Sequence, residues 1–165
     1  MAALSDTTII AAIKTLIEGD ATIYDVSDPL KINKVFTEKQ TVGPAQQNYC
    51  EIISPGQSII TSKKGGIKQK RMGETNITEL IGNSQRSVRP FTILFTFKQI
   101  LKENNARIYD VVANFRNAIK ADETLSTSGI DGSKVLSWGY SLNDNNQMII
   151  DGVGLTLEIF CTEAF

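Results

Sequence analysis

The sequence predicts an α+β domain: a mostly antiparallel sheet with two amphipathic helices packed on one face, plus an extended basic loop or hairpin. Three observations carry this. Two segments, Asp6 to Glu18 and Glu103 to Ala121, repeat apolar residues at helical spacing. Phe91 to Lys98 alternates apolar and polar residues as a half-buried strand does. The stretch from Leu136 to Thr162 reads as a long hairpin. Two helices, a long strand and a hairpin can share one layered core. The 165 residues are therefore read as a single domain, with a projecting loop or arm at about 57–83.

Each element follows from its residues. Ser5 can cap the first helix and Asp6 sits in its first turn. Ile9, Ile13, Leu16 and Ile17 form a buried stripe with Ile10 beside them, and Gly19 is a stop. The next thirty residues are irregular, with turn signals at Asp28-Pro29 and Gly43-Pro44. Ile23 to Val26 and Ile32 to Phe36 read as short strands or edge pieces. Tyr49 to Ile53 is a strand that Ser54-Pro55-Gly56 ends sharply, and Ser58 to Ser62 continues as another.

Lys63 to Gly73 holds Lys63, Lys64, Lys68, Lys70 and Arg71 with no acid and little apolar content. It reads as a mobile loop or the tip of a hairpin. Ile77 to Ile81 suits a short helix or an edge strand, and Gly82-Asn83-Ser84 a turn. In the strand Phe91 to Lys98, the aromatic face is Phe91, Ile93, Phe95 and Phe97. The second helix buries Ile108, Val111, Val112, Phe115 and Ile119, with a cap expected near Asn104 and Asn105. After Asp122 the chain is rich in Ser, Thr and Gly and reads as loop. Leu136, Trp138, Tyr140 and Leu142 then alternate with small residues, Asn143 to Asn146 turn, and Val153 to Cys161 carries the apolar face of the return strand. Gly152 and Gly154 mark a bulge or a close backbone contact. The other sheet face, with Leu94, Gly154 and Phe160 among Thr and Glu, is partly apolar and suits contact with another protein.

Composition narrows the function. There is no histidine, which removes Ser-His-Asp and Cys-His nucleophile systems and His-containing metal sites. No segment approaches the roughly 20 uncharged apolar residues of a membrane-spanning helix. The N-terminus has neither a basic leader nor a signal-type run, so the chain reads as soluble and cytoplasmic, with no membrane partner. Cys50 and Cys161 each sit in an apolar strand and read as buried free thiols. No phosphate-loop or dinucleotide fingerprint occurs, because Gly152-Val153-Gly154 lies within a strand and Gly65-Gly66 lacks the rest of the pattern. Asp144-Asn145-Asn146 lacks the glycine and distal glutamate of a calcium loop. Asp122, Glu123 and Asp131 could serve a carboxylate-metal hydrolase, but in a Ser-rich loop they read as solvated. Trp138 reads as core or interface. The expectation is a protein that is not an enzyme, with no metal and no cofactor.

Charge is segregated although the net value is only -1. From Gln57 to Arg107 there are ten Lys or Arg against three Glu, and from Asp122 onward seven acids against Lys134 alone. Lys63, Lys64, Lys68, Lys70 and Arg71 thus form a candidate interface or lumen-facing basic loop. Asp144, Asp151, Glu158 and Glu163 form a candidate complementary acidic surface on a neighbouring copy. The basic loop has no interleaved aromatics, which a base-stacking surface would often carry. Protein contact, proximity to nucleic acid and a solvated loop all remain open.

Element by element, the chain resembles the tail terminator proteins of long-tailed bacteriophages. The resemblance rests on the opening helix Asp6 to Glu18, the strand Tyr49 to Ile53 closed by Ser54-Pro55-Gly56, and the polar-entry strand Ser87-Val88-Arg89-Pro90-Phe91-Thr92-Ile93-Leu94-Phe95. The helix Ala106 to Ala121 and the closing hairpin ending Leu155-Thr156-Leu157-Glu158-Ile159 complete it. It covers nearly the whole chain in element order, and the family has no short signature. It implies a structural virion protein: a ring, usually a hexamer of this chain, that caps the tail tube and joins the tail to the neck or head connector. The implied partners are copies of itself, tail tube protein, a neck or connector protein and, in contractile tails, sheath protein. DNA would pass through the lumen. The implied location is the tail-neck junction of a virion assembled in the host cytoplasm. The insertion between Gln57 and Asn83 and the stretch before Tyr49 depart from the family pattern. Rival readings are another neck or head-completion protein and, in a different class, a nucleic-acid-binding accessory protein.

Overall fold

Ser5 starts the first helix as its sequence dictates. Its side chain accepts from the Thr8 N–H at 3.2 Å, and α1 runs Asp6–Glu18. The computed structural model describes residues 4–55, 77–81, 84–143 and 148–164. After α1 come β1 (Lys34–Phe36), β2 (Tyr49–Ile53), β3 (Ile77–Ile81) and β4 (Ser84–Thr96). A short 3-10 turn at Lys102–Asn104 leads into α2 (Asn105–Ala121), followed by β5 (Ile130–Leu142) and β6 (Ile150–Ala164). The strands form one sheet in the order β1-β2-β4-β6-β5, with β3 also on β4. Every pairing is antiparallel except β1 with β2. This is the predicted α+β architecture.

Strand register builds the core in rows. Cys50 lies opposite Phe95, which lies opposite Val153, and Ile52, Ile93 and Leu155 form the next row. These side chains share a face and are all buried. Ile9, Ile13 and Ile17 of α1 and Ile108, Val111, Val112, Phe115 and Ile119 of α2 join the same cluster. Phe95 and Phe115 meet edge to face with ring centroids 5.6 Å apart, tying sheet to helix. Each such side chain contributes about 1.5–3 kcal/mol by leaving water.

Three elements differ from expectation. β4 begins at Ser84, seven residues before Phe91, and runs through Pro90. The Phe97 N–H donates to the Asp151 carbonyl, so odd-numbered residues of β4 turn their backbone towards β6 and even-numbered ones away. Pro90 therefore faces the other edge, where β3 ends at Val88 and β2 begins at Thr92. No neighbour there needs the N–H that proline lacks. β5 likewise starts at Ile130, inside the stretch read as loop, with a register shift at Leu136. The Asn104 side chain makes no cap bond. Asn105 instead stitches the helix start to β6, accepting from Ile150 N at 3.0 Å and donating to the Met148 carbonyl at 2.8 Å.

The irregular segment after α1 is ordered by side chains. Ile77–Ile81 is a strand, and Ile23 to Phe36 contributes β1 plus a single bridge from Tyr24 to Ile32. Asp20, Asp25 and Asp28 each accept from the backbone N–H two residues on. The expected turn residues Gly82 and Asn83, the strand Ser58 to Ser62 and the basic loop lie outside the described residues.

Candidate assembly surfaces

The two helices cover one face of the sheet and leave the other to itself. On that second face the chain between β1 and β2 folds over Tyr49 and Glu51. The Gln40 N–H donates to the Glu51 carboxylate at 2.7 Å, Lys39 stands 3.8 Å from it, and Glu51 is buried. At Gly43 a Cβ would lie 2.2 Å from the Tyr49 hydroxyl, so any larger residue there would have to displace the Tyr49 ring. Beyond it, Gly139 pairs directly with Gly154, and Ser141 with Gly152. The missing side chains leave a trough of about 370 Å³ whose lining includes Tyr49, Leu94 and Ser141. Further along, the Lys134 ammonium lies 5.8 Å from the Phe160 ring centroid, and Leu94 and Phe160 are half-buried. The partly apolar open face expected from the sequence is thus present. The register shift between Ser141 and Leu142, opposite Gly152 and Ile150, is the irregularity that Gly152 and Gly154 signalled.

Of the charged residues singled out from sequence, only Asp151, Glu158 and Glu163 lie among the described residues. Lys63, Lys64, Lys68, Lys70, Arg71 and Asp144 lie outside the described residues. Asp151 accepts from the Ser141 hydroxyl at 2.6 Å. Glu158 is buried on the open face, 6% exposed, opposite Pro90 and Lys134. Glu163 lies opposite Gln85 near the far end of β6. Twelve residues of strand put Asp151 and Glu163 roughly 40 Å apart. The three described acids of β6 are thus spread along the strand rather than adjacent.

Two of the three acids weighed for hydrolysis, Asp122 and Asp131, are engaged in hydrogen bonds. Asp122 accepts from the Ser126 hydroxyl at 2.7 Å and its N–H at 3.0 Å, which holds its carboxyl below the ordinary 3.8. Asp131 accepts from the Thr162 hydroxyl. Among the described residues no group of three or more His, Cys, Asp or Glu could hold a metal ion, and no helix is long and apolar enough to cross a membrane. Cys50 and Cys161 are buried and not joined in a disulfide, and burial pushes the Cys50 thiol well above its usual range.

One surface was not legible as a surface. β5 is the end strand of the sheet, and from Leu136 to Leu142 every residue is exposed. Trp138 and Tyr140 lie opposite Leu155 and Val153 and so point to the helix side, beyond the covered core. There the Arg116 guanidinium of α2 sits 3.9 Å from the Trp138 ring centroid. Tyr109 of α2 meets Tyr140 edge to face at 5.2 Å. Burial, then the nearby Tyr109, raises the Tyr140 phenol above 10.0, against a hydrogen bond from Trp138 and the charge of Arg116. Leu136, Trp138, Tyr140, Leu142 and Tyr109 are 40–50% exposed. They form one aromatic and aliphatic strip along the outer edge of β5, with which no further strand pairs among the described residues. Alternation pointed to Trp138 and Tyr140 as apolar strand positions, but nothing in the sequence told which strand ends the sheet.

No protein-family model matches the sequence, and no curated protein matches it. Among solved structures the fold is shared with a chain from "Virion of native gene transfer agent (GTA) particle". The superposition has a TM-score of 0.59 at 12% identity and covers 94% of this chain and 95% of that one. At that identity the likeness concerns the fold, and it runs through nearly the whole of both chains.

Proposed function

We propose that this chain is a structural virion protein, a tail terminator whose ring caps the tail tube and joins the tail to the neck or head connector. The observation that carries the reading is the end-to-end fold match with a chain of a virion particle. It agrees with the element order on which the resemblance to tail terminators rests. The described surfaces support an assembly role over a catalytic one. They offer an open, partly apolar sheet face and an exposed aromatic edge, while two of the acids weighed for hydrolysis, Asp122 and Asp131, are held in hydrogen bonds.

In this reading the subunit acts with copies of itself, usually six in this family, and stacks on the last ring of tube protein. The basic segment Lys63 to Arg71 would meet an acidic neighbour or line the lumen through which DNA passes. The mass of the purified protein, alone and mixed with tail tube subunits, tests this. A hexamer, or a monomer that forms rings on tube ends and limits tube length, supports it. A monomer that ignores tubes and binds DNA in low salt overturns it in favour of a nucleic-acid accessory role. Rings that form but bind a head-side connector and ignore tubes would assign the chain to another neck or head-completion position.

A further inference from the structure

β5 offers more than apolar side chains. Gly139 and Ser141 pair with Gly154 and Gly152, and the even-numbered residues of β6 turn their backbone towards β5, since the odd-numbered ones face β4. Residues 137, 139 and 141 of β5 therefore spend their backbone groups on β6. Those of Trp138 and Tyr140 point away from the sheet, and among the described residues no strand receives them. The same two residues carry the rings of the exposed strip. An edge presenting free N–H and C=O groups beside apolar side chains is a template for another strand.

The opposite end of the sheet is built differently. β1 is three residues long and begins with the exposed Lys34, the kind of short, charged edge that discourages pairing. β5 is thirteen residues long, has no proline, and lacks any charge between Leu136 and Leu142. One edge is blunted and the other is left open. Beside the open edge, Arg116 rests on Trp138 with no carboxylate partner among the described residues.

The geometry points to β5 as the edge to which a neighbouring copy of this chain adds an extended segment, extending the sheet across the subunit boundary. The added strand hydrogen-bonds to the backbone of Trp138 and Tyr140, lays apolar side chains on their rings, and brings an acid to Arg116. A two-fold pairing of β5 with β5 about these residues would set two Arg116 guanidinium groups near each other. The contact is therefore head-to-tail, the kind that closes rings. This inference rests on the assembly reading above and names the contact within it.

The test uses the full chain and three variants, Tyr140→Pro, Tyr140→Thr and Arg116→Glu. Because the Tyr140 N–H points outward, proline leaves the β5–β6 ladder intact while removing the bond to an added strand together with the ring, and Tyr140→Thr, which loses the ring alone, separates the two effects. Light scattering and sedimentation should show the wild type as a discrete oligomer and Tyr140→Pro shifted to monomer, on the order of tenfold weaker in association or more. Tyr140→Thr, which keeps the N–H, should lose less, and Arg116→Glu should weaken assembly. Hydrogen exchange on the wild type needs no variant: the Trp138 and Tyr140 amides should be protected in the oligomer and exchange freely on dilution to monomer. Fast exchange of both amides within a stable oligomer, or a folded Tyr140→Pro that assembles like wild type, overturns the edge while leaving the assembly reading standing. A wild-type chain that stays monomeric at all concentrations and on tube ends overturns both.

Discussion

Asn33 and Asn48 bind each other twice and satisfy one another's surroundings. The Asn33 N–H donates to the Asn48 carbonyl at 2.9 Å, and the Asn48 N–H donates to the Asn33 side-chain oxygen at 3.0 Å. The Asn33 amide then donates to the carbonyls of Asp25 and Asp28, and the Asn48 amide to those of Pro29 and Lys31. The Asn48 side-chain oxygen accepts from Lys98 N at 2.8 Å. Both residues are buried. Two amides thus fasten an irregular segment, which has almost no ladder bonds of its own, to the end of β4.

Removing one of them should be costly. Asn48→Ala strips partners from the carbonyls of Pro29 and Lys31 and from Lys98 N at once, and should destabilise the fold by about 3 kcal/mol. Urea denaturation measures this directly. A loss under about 1 kcal/mol would mean that water replaces the amide there.

At the first helix, Arg89 should matter more than its ionic partner. Its guanidinium donates to the Leu4 carbonyl at 2.7 Å and to Asp6 at 3.0 Å, and its Nε to the Ser87 hydroxyl at 3.2 Å. Asp6→Asn removes a half-exposed charge and should cost under about 1 kcal/mol. Arg89→Met leaves acceptors unpaired and should cost about 2 kcal/mol or more. Ser5→Ala, which deletes the cap, should cost about 1 kcal/mol. Thermal unfolding of the three variants ranks them.

Neither thiol should react while the chain is folded. Cys50 and Cys161 are both buried, and the thiolate form of Cys50 is disfavoured by its surroundings. A chromogenic disulfide reagent should label two thiols in denaturant and almost none under native conditions. Rapid native labelling of Cys50 would show that the β2–β4 end of the core opens readily.

Acid should destabilise the chain in part through Asp25 and Asp122. The Ser27 hydroxyl and N–H hold the Asp25 carboxyl below its ordinary 3.8, as Ser126 does for Asp122. Because both pKa values fall on folding, their contribution is complete above the unfolded value and lost as pH drops through the folded one. The double variant Asp25→Asn, Asp122→Asn should therefore have a lower melting temperature than wild type near neutral pH. That gap should narrow below about pH 3. A gap that is unchanged by acid would remove these turns from the acid response.

The helices and the aromatic strand were legible because burial repeats along them. Ile9, Ile13 and Ile17, or Phe91, Ile93 and Phe95, declare period and face together. What stayed hidden has different causes. Alternation alone starts β4 at Phe91 and the resemblance starts it at Ser87, and Pro90 is tolerated between them because of a gap between β3 and β2 that only the assembled sheet creates. Gly132, Ser133 and Lys134 disguised the start of β5, and the shift at Leu136 broke its alternation. The Asn33–Asn48 bond and the Arg116–Trp138 contact join residues far apart in sequence, which local patterning does not register. Asp151 and Glu163 are far apart because they lie on one extended strand, where separation in sequence becomes distance.

β6 is the final strand in chain order, yet it lies between β4 and β5. On the ribosome, β4 can pair with β2 and β3 as soon as it emerges, but its other edge and the inner edge of β5 must wait for residues 150–164. β4 and β5 have no ladder with each other, so the nascent chain closes this half of the sheet only after β6 has been made.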